Sequence, residues 1–380
     1  MIYFDNSATT KPYQDVIDSF VRVASDYFGN PSSLHQLGGM AEKLLSQARN
    51  QIAKLLNVKE NEILFTSGGT ESNNLAIKGT AMMYRGRGKH IITTEVEHAS
   101  VRETMEQLKQ LGFQVTYIKP DHDGRISVKA IEEAIRQDTI LVSVIHVQNE
   151  IGTIQPINEI GSLLKDYPKI LFHVDHVQGV AKVPLDIQEC GIDLCSISGH
   201  KFHGLKGTGA LYLREGLHIS PLFSGGNQES KHRSGTENVA GMVAMAKALR
   251  LTIENNKNKR LSLEKMMKYL RSELSDIPEI SVHTPEVGAA PHIINFSIIG
   301  YKAEVFVHSL AEKGVFVSTT SACSSRQAEV SKTLLAMGIP ADEAKSAIRI
   351  SLSYENTMQE AVEAVTAIKA TINLLGEVMK

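Results

Sequence analysis

The sequence has few cysteines and no excess of either charge. Its 380 residues include three cysteines, Cys190, Cys195 and Cys323, which form no C-x-x-C pair and no cluster with metal-ligand spacing. We therefore expect neither a disulfide framework nor a metal site, and the chain fits a reducing, cytoplasmic compartment. The 40 basic and 42 acidic residues give a net charge of −2, so we expect no direct nucleic-acid binding.

Long apolar runs and repeats are also missing. The N-terminus lacks the basic region and the apolar stretch of a signal peptide, and no uncharged apolar run approaches the length of a transmembrane helix. We therefore expect no membrane span. A chain of this length can bury a large core divided between two or three domains.

Short apolar runs rich in β-branched residues alternate with helical patterns between Glu62 and Leu213. This alternation predicts an α/β fold, in which a mostly parallel seven-stranded sheet is flanked by helices on both faces. The predicted strands are residues 63–66, 90–94, 115–118, 140–146, 170–174, 192–197 and 209–213. The predicted helices are residues 73–82, 100–111, 128–136 and 157–164.

The pattern changes after Gly226, where a long helical stretch runs from Thr236 to about Leu274 and leads into a smaller α+β domain. There the predicted strands are residues 280–283, 293–298, 315–318 and 348–353. The predicted helices are residues 303–312, 330–337 and 358–375. We assign residues 15–255 to the large domain, and residues 1–14 and 256–380 to the small domain.

A lysine among glycines and small polar residues follows the predicted strand 192–197. Lys201 lies in the segment 196–209, whose glycines let the backbone approach a ligand closely. An ordinary lysine is a poor nucleophile at neutral pH, but its amine can condense with an aldehyde cofactor as a Schiff base. The segment alone leaves two interpretations open, a cofactor lysine and an ordinary turn residue.

Other polar residues follow the same predicted strand ends, where ligands bind in parallel sheets. The turn at residues 66–73 suits a phosphate at a helix start, although it could equally be a capped helix after a glycine turn. His98 could lie against a flat ring or move protons, or could simply start a helix. Asn149 and Glu150 end the strand 140–146 in the same way.

Two buried charges and one thiol complete the candidates. Asp175 at a strand end needs a charged partner such as a protonated pyridine nitrogen, unless it caps the next helix. Arg349 within a strand pattern needs an anion, either a substrate carboxylate or a structural acid.

Cys323 stands in a polar stretch that would not bury its thiol. Cys190 and Cys195 are expected to pack in the core. Three histidines are expected in solvent or around the site: His35, His176 and His203.

Together these motifs resemble the cysteine desulfurases, pyridoxal-phosphate enzymes of the class-V aminotransferase family with fold type I. The resemblance is closest to the bacterial group whose reactive cysteine lies on a longer loop. It covers essentially the whole chain. The matching motifs are residues 4–10, 28–33, 66–74, 97–98, 149–152, 175–178, 198–201, 233–236 and 321–323.

The resemblance implies a pyridoxal 5'-phosphate cofactor and a role for each candidate. Lys201 would hold the aldehyde, Asp175 would pair with the pyridinium nitrogen and His98 would stack on the ring. Asn149 and Gln178 would face the phenolic oxygen or the substrate. The phosphate would be held by Gly69, Thr70, Ser198 and His200, and by Thr236 of the neighbouring subunit of a homodimer. Arg349 would bind the carboxylate of L-cysteine, and Cys323 would receive its sulfur.

By this resemblance the reaction yields alanine and a persulfide on Cys323, which an acceptor protein takes up. Leu205 replaces a common proline, a loop change that we expect to be neutral. The chain ends at Lys380, soon after its last predicted helix. This favours a dedicated sulfur donor for a tRNA-thiolating or thiamine-pathway enzyme over a donor to an iron–sulfur cluster scaffold. A related lyase, such as a selenocysteine lyase, is the alternative enzyme.

Overall fold

The structure, a computed structural model, describes residues 1–319 and 330–378. A short strand and two helices precede the main sheet: β1 (Ile2–Tyr3), α1 (Gln14–Asp26) and α2 (Gln36–Leu55). The strands of the main sheet are β2 (Ile63–Thr66), β3 (His90–Thr94), β4 (Gln114–Ile118), β5 (Thr139–Ile145), β6 (Leu171–Asp175), β7 (Leu194–Ser198) and β8 (Gly209–Leu213).

The order across this sheet is β2-β8-β7-β6-β5-β3-β4. The strands β4, β3, β5, β6 and β7 pair in parallel, whereas β8 runs antiparallel to both of its neighbours. The strand β2 therefore points the same way as β7. Because six strands share one direction, the carboxyl ends of β2, β3, β5, β6 and β7 lie along one edge of the sheet.

Helices cover both faces of the sheet because its strands are apolar on both sides. Every residue of β5 is buried. On one face Ile91 and Leu141 pack against α3 (Gly69–Tyr84) and α4 (Ala99–Gln110). Their neighbours in sequence, such as Ile92, belong to the core on the opposite face. That face is covered by α1, α2, α5 (Val128–Ala134), α6 (Ile157–Leu164) and the first half of α7 (Val239–Ser275).

A second core lies under a four-stranded antiparallel sheet. Its strands are β9 (Ile280–Val282), β10 (Ile293–Ile298), β12 (Ser318–Thr319) and β13 (Ala347–Ser351), in the order β12-β13-β10-β9. The strand β11 (Val315–Phe316) pairs in parallel with β1. The remaining helices are α8 (Ala303–Glu312), α9 (Lys332–Ala336), α10 (Ala341–Ala344) and α11 (Met358–Val378). Ile2 and Phe4 join this core, as do buried side chains from the second half of α7.

The predicted fold class is confirmed, and several boundaries shift for identifiable reasons. The predicted helix from Thr236 begins at Val239, because the Asn238 side chain accepts a hydrogen bond from the Gly241 N–H and caps it. The predicted strand 315–318 is two strands, since the chain pairs first with β1 and then with β13. The helices α1 and α2 had not been predicted. The domain boundary near residue 255 falls inside α7 and stays a proposal.

Candidate active site

Polar side chains from five strand ends surround one cavity of about 230 Å³. The cavity lies beyond the shared carboxyl edge of β2, β3, β5, β6 and β7, where a parallel sheet offers a ligand site. Nine of the predicted site residues line it: Gly69, Thr70, His98, Asn149, Asp175, Gln178, Ser198, His200 and Lys201. The structure thus brings these distant segments together at one cavity.

Lys201 ends the single 3₁₀ turn Gly199–Lys201 that follows β7. Its Nζ donates hydrogen bonds to the carbonyl oxygens of Ser7 and Ala8, the latter at 2.9 Å. The N-terminal segment is held there because the Thr10 N–H donates to the His200 carbonyl oxygen at 2.9 Å. The amine is thus oriented by backbone carbonyls from the opposite end of the chain.

The start of α3 forms one wall of the cavity. Gly68 stands before the helix with a φ of 150° and has no side chain to cap the first turn. A Cβ atom on Gly69 would lie 2.7 Å from Cγ2 of Val177, so any other residue would require the Val177 side chain to move. The helix start, together with the polar residues Thr70, Ser198 and His200, provides the donors and the positive helix end that bind a phosphate.

Asp175 is buried at the end of β6, and both of its carboxylate oxygens accept hydrogen bonds. The Asn73 Nδ2 donates to Oδ2 at 2.7 Å, and the Val177 N–H donates to Oδ1 at 3.0 Å. The second bond is the one expected of a helix cap, but turns rather than a helix follow. A buried carboxylate lining a cavity is suited to pair with a cationic ring nitrogen.

His98 has both of the roles that its sequence position left open. It is the N-cap of α4, and its Nδ1 accepts a hydrogen bond from the Ser100 N–H at 3.1 Å. Its ring also lines the cavity. Burial lowers the pKa of His98, so the ring is held neutral at physiological pH. Burial also lowers the pKa of His200, to about 4.

Three amide oxygens of cavity residues are buried and have no hydrogen-bond partner among the described residues. They are Oδ1 of Asn73, Oδ1 of Asn149 and Oε1 of Gln178. The Gln178 Nε2 donates to the Ser7 carbonyl oxygen at 2.9 Å, which fixes the direction of its amide. A buried acceptor without a donor is costly, and a ligand hydroxyl or amine would satisfy such an oxygen. The donors, acceptors and lysine of this cavity therefore fit pyridoxal phosphate.

Arg349 lies in β13, and its buried guanidinium makes three hydrogen bonds. Its Nη1 donates to the Asn149 carbonyl oxygen at 2.9 Å. Its Nη2 donates to Oδ1 of Asp5 at 3.1 Å and to Oγ of Ser318 at 3.0 Å. Asp5 is therefore a structural acid for Arg349, which is one of the two anions that the sequence left open. The Nε is buried without a partner in the described residues, so a donor remains for a second carboxylate.

Some predicted residues do not line the cavity, and Arg349, which contacts it only through Asn149, is one of them. Thr236 is exposed on the surface, and Cys323 lies outside the described residues. His176 and His203 are buried at 4% and 3% exposure, so neither lies in solvent, whereas His35 is exposed and caps α2. The sequence did not single out Asn73 and Ser100, which also line the cavity. Cys190 and Cys195 are buried in the core as expected.

Two absences hold for the part of the chain that the structure describes. No group of three histidine, cysteine, aspartate or glutamate side chains there is placed to hold a metal ion. None of the described helices is both long and apolar enough to cross a membrane.

Comparison with known proteins gives one consistent result. The family model of the aminotransferase class-V proteins matches residues 2–365. A NifS/IcsS protein homolog of Lactobacillus delbrueckii subsp. bulgaricus is 47% identical, with 99% of this chain and 100% of the relative covered. The cysteine desulfurase IscS of Dictyoglomus turgidum is 43% identical, with coverage of 94% of this chain and 91% of the relative.

Solved structures similar to this chain point to the same family. A NifS-like protein superposes with a TM-score of 0.93 and 36% identity, covering 98% of this chain and 99% of that one. SspA in complex with cysteine superposes with a TM-score of 0.82 and 34% identity, covering 93% of this chain and 99% of that one.

Proposed function

The chain belongs to the aminotransferase class-V family and is a pyridoxal-phosphate-dependent cysteine desulfurase, and from this premise we propose that Cys323 receives the sulfur of L-cysteine as a persulfide and passes it to an acceptor protein. The observation that carries the proposal is the convergence of Lys201, Asp175 and His98 at one cavity, with Arg349 bonded to Asn149 at its wall.

Each part of the cofactor has a matching group in the cavity. Lys201 would hold the aldehyde carbon, Asp175 would pair with the ring nitrogen, and His98 would lie against the ring. The phosphate would be held by the start of α3 and by Gly69, Thr70, Ser198 and His200. The bound cofactor supplies an electron sink that makes the α-proton of the substrate acidic.

The protein contributes a base and its orientation. We propose that the Lys201 amine accepts the α-proton of L-cysteine, because a lysine that holds the aldehyde lies next to that carbon. The carbonyl oxygens of Ser7 and Ala8, which accept from its Nζ, would then stabilise the ammonium ion that forms. The acceptor atoms of Asn149 and Gln178 would receive hydrogen bonds from the substrate or from the ring hydroxyl.

Arg349 is proposed to bind the substrate carboxylate. Its bonds to Asn149 and Asp5 fix the plane of the guanidinium, and Nε is the donor without a partner in the described residues. An arginine held in this way presents Nε to a carboxylate as a fixed, charge-assisted donor. The Asn149 backbone links Arg349 to the cavity wall, so the carboxylate would lie on the Asn149 side of the ring.

The sulfur step requires a thiolate, and we propose Cys323. Its sulfur attacks the substrate sulfur, a sulfur–sulfur bond forms and the carbon–sulfur bond breaks. The electron pair of the broken bond stays with the substrate carbon, which takes a proton and leaves as alanine. The described residues on each side of the Cys323 segment are tied to this site. Ser318 bonds to Arg349, and Ser331 donates from its Oγ to the buried carboxylate of Glu150.

We also propose a homodimer. An open groove of about 900 Å³, lined mainly by apolar atoms of residues such as Phe20, Leu205 and Phe316, reaches Asn238, two residues beyond the exposed Thr236. A second copy covering this groove would bury it and carry its Thr236 toward the phosphate site. Light scattering should give twice the mass of the chain. A fully active monomer would contradict the proposal.

For the acceptor we propose a tRNA-thiolating enzyme or a thiamine-pathway protein, with an iron–sulfur cluster scaffold as the alternative. The enzyme would be loaded with sulfur-labelled L-cysteine and offered each purified acceptor class in turn. Label should leave Cys323 and appear on one class, and Cys323→Ser should accept none, whereas Cys190→Ser should behave as the wild type. Equal transfer to all three classes, or transfer by Cys323→Ser, would contradict the proposal. Turnover of selenocysteine but not cysteine would identify the alternative lyase.

A further inference from the structure

Asn73 links two cavity residues that the proposed function treats separately. Its Nδ2 donates to Oδ2 of Asp175 at 2.7 Å and to Oγ of Ser100 at 2.8 Å. All three side chains line the cavity and are buried. The reverse amide orientation would place the Asn73 carbonyl oxygen against the Asp175 carboxylate, where two acceptors repel each other. Both amide protons of Asn73 are therefore committed to these two partners.

Ser100 carries the connection on to His98. Because its Oγ already accepts from Asn73, its single hydroxyl proton can point to Nδ1 of His98, which lies 2.8 Å away. The Ser100 N–H donates to the same Nδ1 at 3.1 Å. A ring nitrogen that faces a backbone N–H cannot itself carry a proton. The neutral imidazole must therefore have its proton on Nε2.

The charges around His98 also affect whether its imidazole takes up a second proton. Burial disfavours the imidazolium, and the nearby carboxylate of Asp175 favours it. Further groups oppose a positive charge on the ring: Lys201, Arg102 and Arg349. His200 lines the same cavity, and the buried carboxyl of Glu97 precedes His98 in the chain. Protonation of Nδ1 would also break the bond from the Ser100 N–H and force the Ser100 hydroxyl to turn from donor to acceptor.

We propose that Asn73 and Ser100 are positioning residues that hold His98 as the neutral imidazole protonated at Nε2, and that Asn73 ties this ring to the carboxylate of Asp175. This inference rests on the proposed function, in which His98 lies against the cofactor ring and Asp175 pairs with the ring nitrogen. The chain Asp175–Asn73–Ser100–His98 would fix the distance between these two groups. It would also present an Nε2–H donor on the free side of the imidazole.

The direct test is the tautomer of His98 in the wild-type holoenzyme, read by nitrogen NMR of histidine-labelled protein. The resonance would be assigned by its loss in His98→Gln. We expect the shift pattern of an Nε2–H imidazole. A protonated Nδ1 would overturn the proposal. The measurement does not depend on desulfurase activity, so failure of the proposed function would leave this result intact.

Variants of Ser100 test whether its bonds to Nδ1 keep the His98 ring neutral. Ser100→Ala removes one of the two bonds to Nδ1, so the pKa of His98 should rise by about one unit, and the acidic limb of the kcat/KM profile should move up with it. Ser100→Thr keeps the hydroxyl and should restore both values. Ser25→Ala, the same change on the exposed face of α1, should alter neither. An unchanged His98 titration in Ser100→Ala would contradict the role of Ser100.

Discussion

Replacing Arg349 by lysine removes a fork of donors and keeps the positive charge. In the structure the guanidinium reaches the Asn149 carbonyl oxygen with Nη1 and both Asp5 and Ser318 with Nη2. A lysine ammonium is a compact charge with three donors, so it cannot keep these three bonds and also offer a donor to a carboxylate. The variant should therefore lose at least one charge-assisted hydrogen bond to the substrate.

The size of the effect follows from the number of bonds lost. One hydrogen bond to a charged group contributes about 1.5–3 kcal/mol, so kcat/KM for L-cysteine should fall about 10- to 150-fold. The assay is alanine formation over a range of L-cysteine concentrations. Arg102→Lys is the matched control, because it makes the same chemical change at a residue outside the cavity lining. Arg102 lies on α4 and bonds to Glu103. This control should leave kcat/KM unchanged.

A substrate analogue separates binding from folding. L-cysteine methyl ester has no carboxylate, so its inhibition constant should change much less in Arg349→Lys than the KM for L-cysteine does. If the variant lost affinity for the acid and the ester equally, Arg349 would act only through its pair with Asp5. The assigned role in carboxylate binding would then be wrong.

Three further outcomes are expected. Lys201→Ala should abolish alanine formation and the absorbance of the protein-linked cofactor, and a variant that kept both would refute the lysine assignment. Cys323→Ser should retain the cofactor spectrum but lose alanine formation, whereas Cys190→Ser should keep it. Urea unfolding of the holoenzyme should show lower stability at pH 5 than at pH 7, because three buried histidines take protons near pH 6.5 only when unfolded, each contributing about 1.4 kcal/mol per pH unit. Burial lowers their pKa values to about 4, 3 and 4: His146, His173 and His203. Equal stability at pH 7 and pH 5 would contradict that analysis.

The sequence was informative where the signal is local. The apolar runs of the central strands and the polar residues that follow them are contiguous, and parallel pairing places those ends together by geometry alone. Lys201, Asp175 and His98 could therefore be predicted as one site. His98 shows the limit of this reasoning, since capping a helix and lining a cavity had been treated as alternatives and it does both.

The features of the site that could not be predicted from the sequence depend on contacts between distant residues. Asn73 lies 27 residues from Ser100 and 102 residues from Asp175, and nothing in a local pattern marks its amide as a link between them. The carbonyl oxygens that orient Lys201 belong to Ser7 and Ala8, and a backbone carbonyl has no signature in sequence. Asp5 lies beside Arg349 because the segment that follows β1 meets β13, where Asp5 pairs with Ser351.

The central claim is that sulfur leaves L-cysteine in this cavity and is carried by Cys323. Its most direct test is peptide mass spectrometry of the enzyme after reaction with L-cysteine in the absence of an acceptor, with released alanine measured in parallel. The account predicts the mass of one additional sulfur atom on the peptide that contains Cys323, with one alanine released per loaded site. Alanine release with the additional sulfur on another cysteine, or on none, would contradict it.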